Sequence, residues 1–403
     1  MPGPPAFCPR PRDLRRGAVL TLALLGALGT AASTGCLGAR QDRTTDFAQA
    51  GGAYAASAAP AAPAVPAPRP GTADREAVAR AAAEAAADGK SGKKAAQEVV
   101  SRSGDRWGVV YDRTEYAAFA EDLDGRWTGV GLWAGRRDDG RVEIDRVQPG
   151  GPAARAGLRA GDRLLTVDGH RVTGMPAAEV VALLRGSAGT PVVIGFTRDG
   201  RESTRTLLRE ELRADPVTVR PLPGGITLIK VAAFTRGSGA LVREAVRAAP
   251  PGAGVLLDLR GNPGGLVTEA VQAASAFLDG GLVATYDVRG SQRALYAEPG
   301  GDTARPLVAL VDGGTMSAAE LVTGALQDRG RAVTVGSRTF GKGSVQMPTE
   351  LPDGSVAELT VGTYRTPGGR SLDACGITPD LAAGGARAEE RARTVLSGLR
   401  GGS

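Results

Sequence analysis

Along this chain the spacing of apolar positions changes twice, and each change marks a new kind of element. From Ala73, "ADREAVARAAAEAAADGKSGKKAAQEVV" repeats at helical spacing, and the helical pattern continues through "YAAFAEDLDG", residues 116–125. Residues 126–202 then turn to short strands broken by Gly/Pro turns, as in "RVEIDRVQPGGPAARAGLRAGDRLLTVDGHRV". Within that block "PAAEVVALLRG" reads as a helix with Val180, Val181 and Leu184 on one side, and "TPVVIGFTRDG" reads as a closing strand. From 203 to 383 strands alternate with helices. "GITLIKVAAF", "GVLLDLR" and "PLVALVDG" are the strands; "GALVREAVRAA", "TEAVQAASAFL" and "SAAELVTGALQDRG" are the helices. The expectation is a multidomain α/β protein with a helical segment (73–125), a β-rich domain (126–202), an α/β core (203–383) and a tail (384–403).

The first 72 residues follow neither pattern. Arg10, Arg12, Arg15 and Arg16 precede an uncharged stretch from 17 to 39, which reads as a signal peptide or an uncleaved membrane anchor. Its "STGC" resembles a lipobox in which Cys36 would be lipidated, although Ser33 replaces the usual aliphatic residue. Residues 40–72, including "AYAASAAPAAPAVPAPRP", form an Ala/Pro-rich linker too poor in apolar bulk to build a core. The reading is an exported protein of the cell envelope, lipidated, anchored or secreted.

Composition removes several function classes. The net charge of +6 comes without a Lys/Arg run interleaved with aromatics, so nucleic acid is not implied. Cys8, Cys36 and Cys375 have neither metal-ligand spacing nor the makings of a disulfide framework. Among 49 basic residues only Lys90, Lys93, Lys94, Lys230 and Lys342 are lysine.

That scarcity matters because "GGTMSAAELVTG", residues 313–324, looks like a nucleophile at a helix start, and the chain has one histidine. His170 sits in "TVDGHRV", where Asp168-Gly169 supplies turn chemistry, and reads as a solvated turn residue. A base must come from elsewhere. Lysine serves if desolvation lowers its pKa toward about 7–8, whereas arginine stays protonated. Lys342 lies between two glycines in "TVGSRTFGKGSVQ", and Gln346 follows four positions later. The same stretch satisfies G-x-x-x-x-G-K, but Gly343 stands where a phosphate loop needs Ser or Thr, and no helical pattern follows. "SAAE" is also a capping box, in which the Ser317 hydroxyl would meet the Glu320 backbone. As a nucleophile, Ser317 would have the Ala318 amide and the helix dipole beside it. A second donor would come from the turn in "LLDLRGNPGGLV", residues 256–267.

Together these stretches resemble the C-terminal processing peptidases, tail-specific serine proteases of the S41 type, from about residue 73 to 383. "SGDRWGVVYDRTEYAAFAEDLDG" resembles their leading helical segment, and "GVGL" through "FTRDG" their PDZ domain. "LLDLRGNPGGLV", "DGGTMSAAELVTGALQDRGRAVTVG", "TFGKGSVQ" and "YRTPGGRSLDACGITPD" resemble the motifs of the α/β serine protease core, in the same order. The resemblance implies Ser317 as nucleophile, Lys342 as base and Gln346 in support, with the amides of Ala318 and Gly265 as the oxyanion site and Gly264 as substitute. It implies that Gly129, Val130, Gly131 and Leu132 hold a peptide's terminal carboxylate, and that Leu132, Val180, Val181 and Leu184 line an apolar groove; those aliphatics serve equally as plain core. It implies no metal or cofactor, and substrates that are proteins or peptides with apolar C-terminal tails. Two departures stand out: Ala319 replaces a serine usual in the family, and "DACG" is unusual before "ITPD", with Cys375 read as a small apolar filler. The rival reading is a catalytically silent envelope scaffold that binds tails through its PDZ domain, although serine, lysine and glutamine are all present.

Overall fold

The computed structural model describes residues 71–401, apart from 138, 176, 214 and 289–290. The stretch read as an export signal, Cys36 and most of the Ala/Pro-rich linker lie outside the described residues. Among the described residues no helix is long and apolar enough to cross a membrane.

The helical segment is not continuous. It holds α1 (Arg75–Ala87), α2 (Gly92–Ser103), a strand β1 (Val109–Tyr111) and α3 (Arg113–Leu123). Each helix starts on a side-chain cap: the Asp74 carboxylate accepts from the Glu76 amide at 2.9 Å, and the Ser91 hydroxyl from the Lys94 amide at 3.3 Å. At α3, Asp112 and Glu115 form a reciprocal box at 2.9 Å each way. The strand "VVY" escaped the periodicity reading because three residues carry too little pattern. Val78, Ala82, Ala96 and Val100 bury the inner faces of α1 and α2 against Val110, Ala357 and Leu359.

A β-rich body follows: β2 (Arg126–Gly129), β3 (Leu132–Arg136), β4 (Val142–Val147), α4 (Pro152–Arg155), β5 (Arg163–Val167), β6 (His170–Arg171), α5 (Ala177–Leu184), β7 (Pro191–Arg198), β8 (Arg201–Leu208) and β9 (Glu210–Arg213). Its main sheet runs β3-β4-β5-β7-β8, so β3 is an edge strand, and α5 packs beside it. Asp168 and Gly169 take φ of 47° and 79° in the tight turn between β5 and β6, and His170 is exposed there, as the sequence led us to expect.

The remaining chain forms β10 (Val217–Leu222), β11 (Ile226–Val231), α6 (Ser238–Ala248), β12 (Gly254–Asp258), α7 (Val267–Ser275), β13 (Leu282–Val288), β14 (Ser291–Tyr296), β15 (Leu307–Val311), α8 (Ala318–Asp328), β16 (Val333–Gly336), β17 (Ser344–Glu350), β18 (Val356–Arg365), β19 (Leu381–Ala382) and α9 (Ala386–Gly401). One sheet runs β10-β11-β12-β15-β16-β19, parallel from β11 onward. Parallel strands need both faces covered. Val255, Leu257 and Ala309 pack with residues of α6, α7 and α8 on one face; Leu256, Val308 and Leu310 meet Ala388, Ala392 and Leu396 of α9 on the other. A second sheet runs β1-β18-β13-β14, with β17 also on β18, so the N-terminal strand extends a sheet of the core. The end of α3 is a junction: Asp122 holds Arg185 of the β-rich body at 3.0 and 3.1 Å, while Asp124 holds Arg236 of the core at 2.8 Å.

Candidate active site

Three loops leave the carboxyl ends of the neighbouring parallel strands β12, β15 and β16, the place where open α/β sheets build sites. Asp312 ties the first two together, its Oδ1 accepting from the amides of Gly261 (2.8 Å) and Gly314 (2.9 Å). The Met316 amide donates to the Asn262 carbonyl at 2.9 Å. Phe340, in the third loop, donates from its amide to the Thr315 carbonyl at 3.0 Å. The stretches that the sequence analysis singled out separately therefore meet.

Ser317 stands at the N-terminus of α8 with φ 53° and ψ −118°, a region that costs a non-glycine residue roughly 1–3 kcal/mol. Ser317 and Glu320 lie within capping-box reach, but the two halves differ. Glu320 Oε2 accepts from the Ser317 amide at 3.0 Å, whereas the serine hydroxyl makes no cap hydrogen bond. The Glu320 amide donates instead to the Ser317 carbonyl at 2.8 Å. The hydroxyl therefore sits beside the first turn of α8 without a hydrogen bond to its backbone.

Glu320 does more than cap. Its Oε1 accepts from Thr339 Oγ1 (2.6 Å) and the Gly341 amide (2.8 Å), and its Oε2 also accepts from the Lys342 amide (2.9 Å). One fully buried carboxylate thus holds the backbones of Ser317 and Lys342 two hydrogen bonds apart. Burial pushes its pKa above the usual carboxylate range, and the four donors work against that rise. These bonds also dispose of the phosphate-loop reading. The Gly341 and Lys342 amides are spent on a protein carboxylate, and the chain continues into strand β17 rather than a helix.

Lys342 is half-buried, and loss of water pulls its pKa below that of a free lysine, against the carboxylates of Glu358, Asp105 and Glu320, which raise it. Its Nζ lies 5.0 Å from the centre of the Trp107 ring and makes no hydrogen bond or ion pair among the described residues. The turn after β12 presses on the serine. A side chain at Gly264, φ 98°, would come within 3.0 Å of the Ala318 nitrogen and of Ser317 Cβ. Asn262, fully buried, holds the turn by donating from Nδ2 to the Val231 carbonyl (3.0 Å) and accepting from the Gly264 amide (2.8 Å). The Gly264 amide is thereby occupied, whereas the amides of Gly265 and Ala318 have no acceptor among the described residues.

The profile of peptidase family S41 matches residues 225–383, and that of a PDZ domain matches 143–198. The chloroplastic C-terminal processing peptidase of Tetradesmus obliquus is 38% identical over 290 residues, covering 66% of this chain and 62% of the relative. The carboxy-terminal processing protease CtpA of Bacillus subtilis (strain 168) is 32% identical over 284 residues, covering 69% and 61%. Among solved structures, the photosystem II D1 C-terminal processing protease is 32% identical with a TM-score of 0.51, over 73% of this chain and 82% of that one. This chain belongs to peptidase family S41. It spans about three-fifths of the length of the curated relatives it matches.

Within this S41 protein the other residues marked from sequence fall as follows. Gln346, on β17, donates from Nε2 to the hydroxyls of Ser344 (2.7 Å) and Thr360 (3.4 Å), and makes no bond to Lys342. In the PDZ domain the carbonyls of Val130 and Gly131 accept from the amides of Ala153 and Gln148 at 2.8 Å, and the amides of Val130 and Gly131 have no acceptor among the described residues. Gly131, at φ 76°, makes the bend between Gly129 and Leu132. Leu132, Val180 and Leu184 are buried in the PDZ core together with Val130, and Val181 is half-buried. Cys375 is exposed, not a packed filler: Ala374 (φ 61°) turns the chain so that backbone, not side chain, lies against Gly341. Sequence reasoning missed Asp105, Trp107 and the second role of Glu320. A cap motif gives no sign that the same carboxylate also reaches another loop.

Proposed function

We propose that the chain is a serine endopeptidase of the cell envelope that recognises C-terminal protein tails through its PDZ domain and cleaves with a Ser317–Lys342 dyad. Neutral Lys342 accepts the Ser317 proton as the hydroxyl oxygen attacks the peptide carbonyl. The amides of Ala318 and Gly265 receive the oxyanion, each such donor contributing about 2.7–4 kcal/mol to lowering the barrier. Collapse expels the amine, which takes the proton from Lys342, and water then releases the acyl-enzyme by the same route. Gln346 supports the lysine. Catalytic hydrogen bonds commonly tighten only in the substrate complex, and in this reading the lysine turns from the Trp107 face toward Ser317 when substrate binds. The loop 129–132 receives the tail's carboxylate on its amides, and the tail adds as a strand along β3. Export with lipidation at Cys36, an anchor or a cleaved signal places the enzyme outside the cytoplasm.

The observation that carries the reading is the single Glu320 oxygen that accepts from both the Ser317 and Lys342 amides, on a serine whose own hydroxyl is left out of the helix cap. The test uses an unfolded reporter ending in apolar residues. Ser317→Ala, Lys342→Ala and Lys342→Arg are expected to lose cleavage while still binding the tail. Activity surviving in Lys342→Arg would overturn the lysine base, because guanidinium keeps its proton near neutral pH.

A further inference from the structure

The amine of Lys342 has a neighbour from far outside the span matched to the S41 family. Trp107 belongs to the turn between α2 and β1, and its ring centre lies 5.0 Å from Lys342 Nζ. The same indole packs on Phe340, two residues before the lysine, with ring centres 5.8 Å apart. The indole thus lies against both the amine and the Phe340 ring.

The turn that carries Trp107 is fixed rather than loose. Asp105, only 6% exposed, accepts from the amides of Trp107 (3.2 Å) and Gly108 (2.9 Å) through Oδ1. The same carboxylate reaches β18, where Thr360 donates from its hydroxyl (2.7 Å) and its amide (2.9 Å). A side chain at Gly108 would come within 2.6 Å of Val100 Cγ1 and 2.9 Å of the Asp105 carboxylate, so it would press on the group that holds the turn. Immediately afterwards Val109 pairs with Glu358, the carboxylate that also acts on Lys342. The indole above the amine and the carboxylate beside it are thus set by one docked segment.

We propose that Trp107 is a positioning residue for Lys342: its indole keeps water from the amine and gives it a face to rest on, so the N-terminal segment sets the basicity of the lysine. Two effects of opposite sign meet here. An aromatic face favours the ammonium form, while exclusion of water favours the neutral amine. Loss of water lowers the amine's pKa by more than Glu358 on β18, Asp105 on the turn and Glu320 on α8 raise it, and the Ala and Leu variants below separate that exclusion from the pull of the aromatic face. Arg106, whose guanidinium carbon lies 5.4 Å from the indole centre, also faces the ring among the described residues.

The role of Lys342 as base rests on the proposed function, so the test reads the amine directly. Competitive acetylation with acetic anhydride across pH, followed by mass spectrometry, titrates each of the five lysines of the full chain. In the wild type Lys342 is expected to titrate below the ordinary lysine value of 10.5. Trp107→Ala admits water and should move it upward by about one unit, a tenfold smaller neutral fraction. Trp107→Phe should restore the wild-type value. Trp107→Leu, which keeps apolar bulk without the aromatic face, should leave it at or below the wild-type value. An unmoved Lys342 titration in folded Trp107→Ala would overturn the proposal, and so would an upward shift in Trp107→Leu equal to that in Ala. If Trp107→Ala does not fold, Trp107→Gln, which brings a polar, hydrated side chain to the amine at smaller loss of volume, takes its place with the same two outcomes. In the cleavage assay the acid limb of kcat/KM should follow the titration, with KM little changed. A wild type that cleaves nothing while these shifts occur would sink the protease reading and leave the Trp107 role standing.

Discussion

At the scale of single residues, the decisive group is one the sequence presents as routine. Glu320 completes a capping motif, yet its two oxygens accept four hydrogen bonds from three loop residues and the serine. Replacing it with glutamine keeps the shape but turns one acceptor into a donor. Whichever way the amide sits, two donors then face an NH2, and each stranded buried group costs about 1–3 kcal/mol. Glu320→Gln is therefore expected to lower the melting temperature and to reduce kcat more than KM. A variant with unchanged melting and unchanged kcat would show that the carboxylate does not hold the two loops together. Ser317 carries the other residue-scale signal. Its positive φ is invisible in "TMSAAE", which reads as an ordinary helix start, and only the coordinates show the hydroxyl freed from its cap.

At the scale of elements, the turn after β12 works by close approach. Gly264 and Gly265 have φ of 98° and 130°, and a side chain at Gly265 would lie 2.3 Å from the Phe234 carbonyl oxygen. The Phe234 amide bonds to the Gly264 carbonyl, and the Leu266 amide to the Phe234 carbonyl, both at 2.8 Å. That pairing fixes where the Gly265 amide points. In Gly264→Ala the new methyl would meet backbone, the Met316 oxygen at 2.9 Å and the Ala318 nitrogen at 3.0 Å, which cannot swing away as a side chain can. We expect Gly264→Ala to remain folded by circular dichroism but to cleave at least about a hundredfold more slowly, the loss typical of one oxyanion donor. Cleavage at the wild-type rate would mean that this turn is not part of the site. The glycine pair was legible in the sequence because "NPGG" is turn chemistry wherever it occurs. Its partner was not, because Phe234, in an isolated bridge beyond β11, is about thirty residues earlier with no local mark of the contact.

For the whole molecule, burying Lys342 makes stability depend on pH in a direction that can be worked out. The folded-state pKa of Lys342 is depressed below 10.5. Between the depressed value and 10.5 the unfolded chain still holds a proton that the native state has lost, so stability rises with pH across that window. Below the window both states are charged, and the native state bears the full burial penalty. Glu320 and Glu358 are shifted upward by burial, so their contributions to stability fall as pH rises from the free carboxylate range through their native values. The comparison to make is the urea midpoint of wild type and Lys342→Met from neutral to about pH 10. The wild type should gain on the variant at the top of this range relative to neutral pH. A constant difference would mean that the lysine is not desolvated in the native state.

Local pattern determined a good deal of this protein. Three strands and three helices between 203 and 383, helix α5 and strand β7, and the turn holding His170 were readable, because periodicity and turn residues act within a few positions, whereas α4, β13, β14, β17, β18 and the helix α9 within the supposed tail were not. Readable too was the set of motifs that meet at the site, although not the way they meet. The tertiary structure alone decided the rest. It broke the helical segment with β1 and laid that strand on β18. It joined Asp105 to Thr360 across 255 residues of chain, set Trp107 over Lys342, exposed Cys375 and gave Glu320 its second task. Such contacts leave no trace in spacing, since a packed pair constrains two distant positions jointly while leaving the pattern around each one ordinary.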